Sequence, residues 1–221
     1  MNIGSTILHR VYRIGVKISL HLAFDFYTWR SSKISKGPKI YVSNHFSSSD
    51  AHIVTTLMKE DLHMVLSRAF TVPLLKTYLK YAEQIPANTK ENRAKVVDRC
   101  VHYLKKGESI YIFPEGMLNT DNELLEFKKG VARLYLKYPV PIVPIGLIAP
   151  KRSINSKVGK LTNYDMKVVS KNYYCNIGDE MTFEQELKME DKGLAEEIIM
   201  SKIKDRVQYL IDDIRNNKFW S

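Results

Sequence analysis

Short apolar runs alternate along the chain with longer stretches in which apolar residues recur every three or four positions. The short runs predict buried strands, whereas the longer period predicts helices with one buried face. The predicted strands cover residues 39–43, 62–66, 109–113 and 141–147, and the predicted helices cover residues 5–29, 51–59, 70–81, 90–105 and 193–216, with a further helix around Leu134 and Leu136. Over 221 residues, this alternation predicts one α/β domain whose central sheet is covered by helices on both faces.

The first predicted helix is amphipathic. Its apolar residues fall on one stripe, namely Ile7, Val11, Ile14, Ile18 and Leu22, and its basic residues fall on another face, namely Arg10, Arg13 and Lys17. Aromatic residues follow near its end: Phe24, Phe26, Tyr27 and Trp29. This pattern suits a bilayer surface, where cations meet lipid phosphates and rings lie at headgroup depth. A helix docked on its own domain has the same pattern, so both interpretations stay open.

The pattern weakens after residue 150. Residues 151–160 are basic and irregular, and they form a second stretch that anionic lipid would attract. Residues 166–170 and 173–177 predict a hairpin or edge strands.

The charge balance points to an anionic partner. The chain carries 34 Lys and Arg against 24 Asp and Glu, a net charge of +10, which favours nucleic acid, anionic lipid or a phosphorylated substrate. Nucleic acid is excluded, because aromatic residues are not interleaved on a basic sheet face and no binding motif is present. Two cysteines without paired spacing argue against a disulfide framework or a zinc site. No run of about 18 uncharged apolar residues occurs, so we expect the chain in the cytosol or on a membrane surface.

A histidine and an aspartate follow the first predicted strand. Imidazole titrates near working pH, which makes His45 a candidate general base. Asp50 lies five positions later, and a turn through residues 47–49 would bring it back to hold the ring in one tautomer. The alternative is a helix cap by Ser49 or Asp50 with His45 merely packed.

Two further segments carry candidate binding residues. Pro114-Glu115-Gly116 follows a predicted strand, where the carboxylate is placed to accept a hydrogen bond from a substrate hydroxyl; the alternative is a surface glutamate in a turn. Lys128 and Lys129 precede Gly130 at the start of a helix, and both the lysines and the helix start attract anions. The alternative there is an ordinary solvated face.

Taken together, four segments resemble the glycerolipid acyltransferase family, whose best-known members are the 1-acylglycerol-3-phosphate O-acyltransferases. The resemblance covers roughly residues 39–150 and rests on Asn44-His45-x4-Asp50, Phe113-Pro114-Glu115-Gly116, Phe127-Lys128-Lys129-Gly130 and Val140-Pro141-Ile142-Val143-Pro144-Ile145. It implies a mixed central β-sheet flanked by helices. It also divides the chain into an N-terminal membrane-surface helix, residues 1–30, and an acyltransferase domain, residues 31–221.

The resemblance implies a role for each matching residue. His45 is the general base, Asp50 orients it, and Asn44 lies beside the base as a substrate-binding residue. The acceptor is bound by residues in three segments, namely Glu115, Gly116, Lys128, Lys129 and Arg93. Acyl carrier protein or coenzyme A brings the acyl chain as a thioester, which is already activated, so no metal or other cofactor is expected. The enzyme is expected at the cytoplasmic face of the membrane, bound peripherally to anionic lipid.

The sequence departs from the family at two positions linked to the acceptor's phosphate. Met117-Leu118-Asn119 stands where threonine-arginine-serine is common, and Ala87 stands where a loop arginine is common. Arginine is the bidentate phosphate ligand of choice. The best single expectation for the acceptor is lysophosphatidic acid. The alternatives are a phosphate-free lysolipid acceptor or a non-catalytic lipid-binding protein.

Overall fold

The computed structural model describes residues 3–31, 34–46, 50–58, 60, 62–119, 123–149, 152–154, 166–168 and 172–217. Its helices are α1 (Ile3–Ala23), α2 (Asp50–Leu57), α3 (Pro73–Tyr81), α4 (Lys90–Ala94), α5 (Val96–Lys105), α6 (Gly130–Lys137), α7 (Glu184–Lys188) and α8 (Lys192–Asn216), with a 3-10 turn at Arg68–Thr71. Its strands are β1 (Asp25–Arg30), β2 (Ile40–Ser43), β3 (Leu62–Leu66), β4 (Ile85–Pro86), β5 (Ser109–Ile112), β6 (Ile142–Ile148), β7 (Arg152–Ile154), β8 (Met166–Val168) and β9 (Asn172–Ile177).

Seven strands form one mixed sheet in the order β1-β9-β6-β2-β5-β3-β4. Strands β6, β2, β5, β3 and β4 run parallel, and β9 is antiparallel to β6 and parallel to β1. The central strand β2 is fully buried, which fits its unbroken apolar sequence, because parallel strands are covered on both faces. The predicted mixed α/β fold is confirmed.

Helices cover the two faces of the sheet with separate cores. One core joins the sheet to α5, α6 and α8 through buried residues that include Ile40, Leu104, Val131, Ile199 and Val207. The other joins the opposite face to α2 through buried residues that include Tyr41, Ile53, Val54, Tyr111 and Tyr173. Because successive residues of a strand point to opposite faces, Ile40 and Tyr41 serve different cores.

Helix α8 packs directly on the backbone of β6. A Cβ atom added at Gly146 would lie 2.8 Å from the backbone nitrogen of Ile211 and 2.9 Å from the carbonyl carbon of Leu210. Any side chain at this position would separate the helix from the sheet. Gly146 therefore allows α8 to pack closely against β6.

Three secondary-structure predictions need correction. Helix α1 ends at Ala23, six residues earlier than predicted, and residues 25–30 form an edge strand because their backbone pairs with β9. Strand β9 is an interior strand between β1 and β6 and not the hairpin partner of β8, which pairs with β7. The predicted helix 90–105 is two helices that meet at Lys95. Most of the basic stretch 151–160 lies outside the described residues.

Candidate active site

The carboxyl ends of β2 and β5 bring the two sequence motifs together. Strands β2 and β5 are parallel neighbours, so the residues that follow them meet at one edge of the sheet. The backbone N–H of His45 donates to Oε1 of Glu115 at 2.9 Å, and the backbone N–H of Asn119 donates to the His45 carbonyl at 2.7 Å. The histidine segment and the glutamate segment therefore form one site.

His45 and Asp50 form a directly bonded pair. Nδ1 of His45 lies 3.1 Å from Oδ2 of Asp50, and the His45 side chain is 20% exposed while that of Asp50 is 0% exposed. The same Oδ2 accepts the backbone N–H of Phe46 at 2.6 Å. A carboxylate only accepts hydrogen bonds, so Nδ1 carries the proton and the lone pair lies on Nε2. This tautomer is the one that a general base needs.

Tyr173 supports the aspartate from the far side. Its hydroxyl donates to Oδ1 of Asp50 at 2.8 Å across the core. Burial raises the pKa of Tyr173 well above its usual value, and the negative charge of Asp50 raises it further. The hydroxyl therefore keeps its proton at any working pH and remains a donor. No local sequence signal points to this contact, because Tyr173 lies on β9, far along the chain.

We expect Tyr173→Phe to destabilise the fold and to slow turnover moderately. The change removes a hydrogen bond to a buried charge, which contributes about 1.5–3 kcal/mol. Urea unfolding followed by circular dichroism measures that loss, with Tyr209→Phe, an exposed tyrosine on α8, as the matched control. An unchanged free energy of unfolding would contradict the role assigned to Tyr173.

Glu115 is buried at this edge of the sheet and accepts several hydrogen bonds from the protein. Its side chain is 2% exposed. Besides the His45 amide, it accepts the side-chain amide of Asn119 at 2.8 Å and the backbone N–H of Leu125 at 3.1 Å. The carboxylate thus ties the turn after β5 to the histidine segment. The contacts seen here position His45, and contact with a substrate hydroxyl stays a prediction.

Asn44 locks the end of β2 to β6. Its side-chain amide donates to the carbonyl of Leu147 at 2.8 Å, and its side-chain oxygen accepts the backbone N–H of the same residue at 2.8 Å. Asn44 is 2% exposed, so it holds the backbone next to His45 without facing solvent. Its predicted place beside the base is observed, and its predicted role in binding substrate is not tested by this contact.

The side chains of the adjacent residues Lys128 and Lys129 point in different directions. Gly116 has φ +69°, and a Cβ added there would lie 3.0 Å from Cε of Lys128, so the Lys128 side chain crosses directly over this turn. Among the described residues, no acidic side chain forms an ion pair with Lys128. Nζ of Lys129 pairs instead with Oε1 of Glu197 on α8 at 2.7 Å. Of these two lysines, Lys128 is the one that brings a cation to the glycine turn.

Exposed apolar residues follow the glycine turn. Met117 is 60% exposed and Leu118 is 43% exposed, at the place where the family commonly has an arginine. Ala87 follows β4, and its backbone N–H donates to the carbonyl of Leu66 at 2.8 Å. Arg93 lies exposed in α4, the helix that follows β4. Among the described candidates for binding the acceptor, Lys128 is the cation observed against the glycine turn.

The helix-cap alternative for Asp50 accounts for only part of its contacts. Asp50 is the first residue of α2. A helix N-cap lies at or next to this position. The Asp50 carboxylate nevertheless bonds to His45, Phe46 and Tyr173. The His45 ring is held in addition by stacking on Phe113, with ring centroids 4.1 Å apart. Residues 47–49, including Ser49, lie outside the described residues.

Comparison with known proteins identifies relatives of this chain, and the matching segment includes the candidate site. A family model described as Acyltransferase matches residues 26–148. The chain is 28% identical over 166 residues to the chloroplastic 1-acyl-sn-glycerol-3-phosphate acyltransferase BAT2 of Brassica napus, covering 73% of this chain and 48% of that protein. It is 34% identical over 116 residues to the chloroplastic 1-acyl-sn-glycerol-3-phosphate acyltransferase LPAT1 of Arabidopsis thaliana, covering 52% of this chain and 33% of that protein. The chain thus spans half or less of the length of these relatives.

A solved structure has the same fold. The crystal structure of PlsC from Thermotoga maritima, a 1-acyl-sn-glycerophosphate (LPA) acyltransferase, superposes with a TM-score of 0.73 at 18% identity. The superposition covers 98% of this chain and 83% of the other. At this identity the likeness concerns the fold.

Proposed function

The chain belongs to the Acyltransferase family, and we propose that it transfers a fatty acyl chain from a thioester to the hydroxyl of a lysolipid, with His45 as general base and Asp50 orienting it. The observation that carries this proposal is the bond between His45 Nδ1 and the fully buried Asp50 at 3.1 Å. It lies at a strand end within the segment that matches the family. A protein that only binds lipid has no need for a base aligned in this way.

The proposed reaction balances with these residues alone. Nε2 of His45 takes the proton of the acceptor hydroxyl while that oxygen attacks the thioester carbonyl carbon. The tetrahedral intermediate collapses, the carbon–sulfur bond breaks, and an ester bond remains. The imidazolium returns its proton to the leaving thiolate. Asp50 stabilises the imidazolium charge during this exchange, because the two groups are in contact.

The donor supplies the activation, so the proposal needs no resident cofactor. A thioester is already electrophilic, and the enzyme then has to position the two reactants and deprotonate one of them. We propose acyl carrier protein or coenzyme A as the carrier of the acyl chain. Both carriers are anionic, and the net charge of +10 favours their approach.

The proposed acceptor is 1-acyl-sn-glycerol 3-phosphate, giving phosphatidic acid. The curated relatives are named for this substrate, and Lys128 puts a cation over the glycine turn, next to the position where Leu118 replaces an arginine. The second candidate is a phosphate-free lysolipid acceptor. It is favoured by the exposed apolar pair Met117 and Leu118.

A panel of acceptors separates these two candidates. The purified chain is given labelled acyl carrier protein or acyl-coenzyme A and, in parallel, lysophosphatidic acid, glycerol 3-phosphate or a phosphate-free lysolipid. Turnover that is fastest with lysophosphatidic acid supports the proposed acceptor. Turnover confined to phosphate-free lysolipids would contradict it and assign a changed specificity to Met117 and Leu118.

Lys128→Gln tests the proposed phosphate contact. We expect KM for lysophosphatidic acid to rise roughly 10-fold or more, since a hydrogen bond to a charged group contributes about 1.5–3 kcal/mol, with little change for a phosphate-free acceptor. Lys129→Gln is the matched control, because Lys129 pairs with Glu197. Equal effects of the two substitutions on KM would contradict a specific role for Lys128.

Helix α1 is the proposed membrane contact. It docks on the domain through Tyr12, which contacts the side chain of His52 and packs against the ring of Tyr78 in a tilted arrangement with a centroid distance of 4.8 Å. Arg13 donates to the carbonyl of Met58 and so faces the domain. The apolar stripe faces away: Ile7 is 58% exposed, Val11 64%, Ile14 61%, Ile18 59% and Leu22 85%. An apolar stripe of this size is a strong indication of a lipid or protein contact.

Helix α1 can therefore dock on the domain and contact lipid at the same time, because one face packs on the domain and the apolar stripe lies on another face. Among the described helices, none combines the length and the apolar character that crossing a bilayer requires. We propose that the stripe lies in the outer part of the cytoplasmic leaflet and that the exposed Arg10 and Lys17 contact anionic headgroups.

Paired substitution of Ile14 and Ile18 by glutamate is expected to release the chain from anionic vesicles. It removes two apolar anchors and adds two charges that the headgroups repel. Co-sedimentation with vesicles measures the bound fraction. The control is Leu194→Glu, which places one such charge at an apolar position of α8 that is 46% exposed. Undiminished binding of the double variant would put the membrane contact elsewhere, for example near residues 151–160.

A further inference from the structure

A second cluster of ligating side chains lies at the opposite edge of the sheet from His45. It joins His63 near the start of β3, Glu83 just after α3, and Glu108 directly before β5. One nitrogen of His63 and one carboxylate oxygen of each glutamate lie within 4.8 Å of one another. The cluster is distinct from the proposed active site, because it lies at the amino ends of the strands whose carboxyl ends carry that site.

The histidine of this cluster is held in a defined orientation. Its side chain is 0% exposed, and its ring stacks on Tyr103 with centroids 3.7 Å apart and planes at 14°. Nδ1 lies 2.8 Å from the backbone carbonyl of Glu83. A carbonyl oxygen only accepts, so Nδ1 carries a proton and donates it. This is the arrangement that orients the histidine ligands of metal ions, whose other ring nitrogen is then free to coordinate.

The remaining nitrogen faces a carboxylate. Nε2 lies 3.0 Å from Oε2 of Glu108. A second proton on the ring would make an imidazolium between two carboxylates, with a net charge of −1 in this group of three. A divalent cation with a neutral imidazole and the same two carboxylates leaves no net charge. A neutral imidazole and two carboxylates therefore form a donor set whose charge one divalent cation matches.

One of the separations between the ligand atoms matches coordination directly. Ligand atoms at about 2.1 Å from a metal ion and at a right angle to each other are about 3.0 Å apart. Nε2 of His63 and Oε2 of Glu108 have this separation. Imidazole with two carboxylates suits a first-row divalent ion such as Mn²⁺ or Zn²⁺, with water in the other positions.

The backbone at Glu83 supports a constrained site. Glu83 has φ +54°, and among the described non-glycine residues it alone has a positive φ. Such a conformation costs about 1–3 kcal/mol and persists where its surroundings hold it. This residue lies just after α3, its carbonyl accepts from Nδ1 of His63 at 2.8 Å, and one of its carboxylate oxygens lies within 4.8 Å of the other ligand atoms.

We propose that His63, Glu83 and Glu108 bind one divalent transition-metal ion, which fastens the turn after α3 and the start of β5 to β3. The site is structural, because it lies at the edge of the sheet opposite His45. Its three residues are separated by 20 and 25 positions in the sequence, a spacing that matches no local metal motif. This explains why the sequence indicates no metal ligands here.

Mn²⁺ titration of the full chain, stripped with a chelator, tests the proposal. Electron paramagnetic resonance reports the free ion, and we expect one saturable site per chain. His63→Gln and Glu108→Gln are expected to abolish this site. His102→Gln and Glu91→Gln are the matched controls, since both residues lie exposed on α5 and α4. Saturating Zn²⁺ at about 100 times its Kd is expected to favour the folded state by roughly 100-fold in the wild type and the two controls, but not in His63→Gln or Glu108→Gln.

Two results would overturn the proposal. One is the absence of a saturable site in the wild type, together with an NMR signal showing His63 protonated on both nitrogens. The other is a site that survives both His63→Gln and Glu108→Gln. If His63→Gln fails to fold, Glu108→Gln still decides the matter, because Glu108 is 20% exposed. Neither outcome depends on acyl transfer, so this test is separate from that of the proposed function.

Discussion

Substitution of His45 by alanine is expected to lower the rate of acyl transfer by roughly 10²–10⁴-fold, the usual contribution of a general base. The imidazole is the group that removes the proton of the acceptor hydroxyl, and no neighbouring side chain in the described site replaces it. Glu115 lies close, but both of its oxygens already accept hydrogen bonds from the protein. Initial rates with saturating donor and acceptor measure the loss.

The control separates chemistry from folding. His102→Ala removes an exposed histidine from α5 and is expected to leave the rate unchanged. Circular dichroism and thermal unfolding of both variants show whether the fold persists. A folded His45→Ala chain with wild-type turnover would show that another group is the base.

Asp50→Asn is expected to have the second largest effect, a loss of turnover of roughly 10²–10⁴-fold. The amide keeps the size of the side chain but removes its charge, so the imidazolium formed during the reaction loses its stabilising partner. The amide N–H₂ also competes for Nδ1 and favours the tautomer whose proton sits on Nε2, where the lone pair is needed. Steady-state kinetics resolve these effects, which act on kcat more than on KM.

Asp205→Asn is the matched control for this change. It neutralises an exposed aspartate on α8 and should leave kcat unaltered. If Asp50→Asn retained near-wild-type kcat, Asp50 would be a capping and packing residue only. In that case the bonds to Phe46 and Tyr173 would account for its burial.

The pairing of His45 with Asp50 is predictable from the sequence because it is local. Both residues follow one short apolar strand and lie only five positions apart in the sequence. The buried strands β2, β3, β5 and β6 are predictable for a similar reason, since each is a mostly apolar run too short for a typical helix.

Contacts between distant segments are not predictable in this way. Tyr173 reaches Asp50 only because β9 inserts between β1 and β6, and the alternating pattern of β9 fits a hairpin equally well. Strand β1 continues an amphipathic helical pattern, and its pairing with β9 overrides that pattern. Tertiary hydrogen bonds decide both cases, and a local period carries no information about them.

Side-chain directions within a motif also lie beyond the sequence. Lys128 and Lys129 are equivalent as residue types, yet one crosses Gly116 and the other pairs with Glu197. The same holds for Glu115. Its place in the motif predicts a substrate ligand, whereas in the structure it is buried and hydrogen-bonds two loops to each other. In each case the neighbouring helix or loop, and not the motif, sets the direction.

Formation of labelled phosphatidic acid by the purified chain tests the central claim most directly. The assay supplies labelled acyl carrier protein or acyl-coenzyme A with lysophosphatidic acid on vesicles, and it compares the wild type with His45→Ala. The account predicts steady product formation by the wild type and a rate lower by at least about 100-fold in the variant. A folded, vesicle-bound wild type that forms no acylated product with any lysolipid would contradict it and favour a lipid-binding protein.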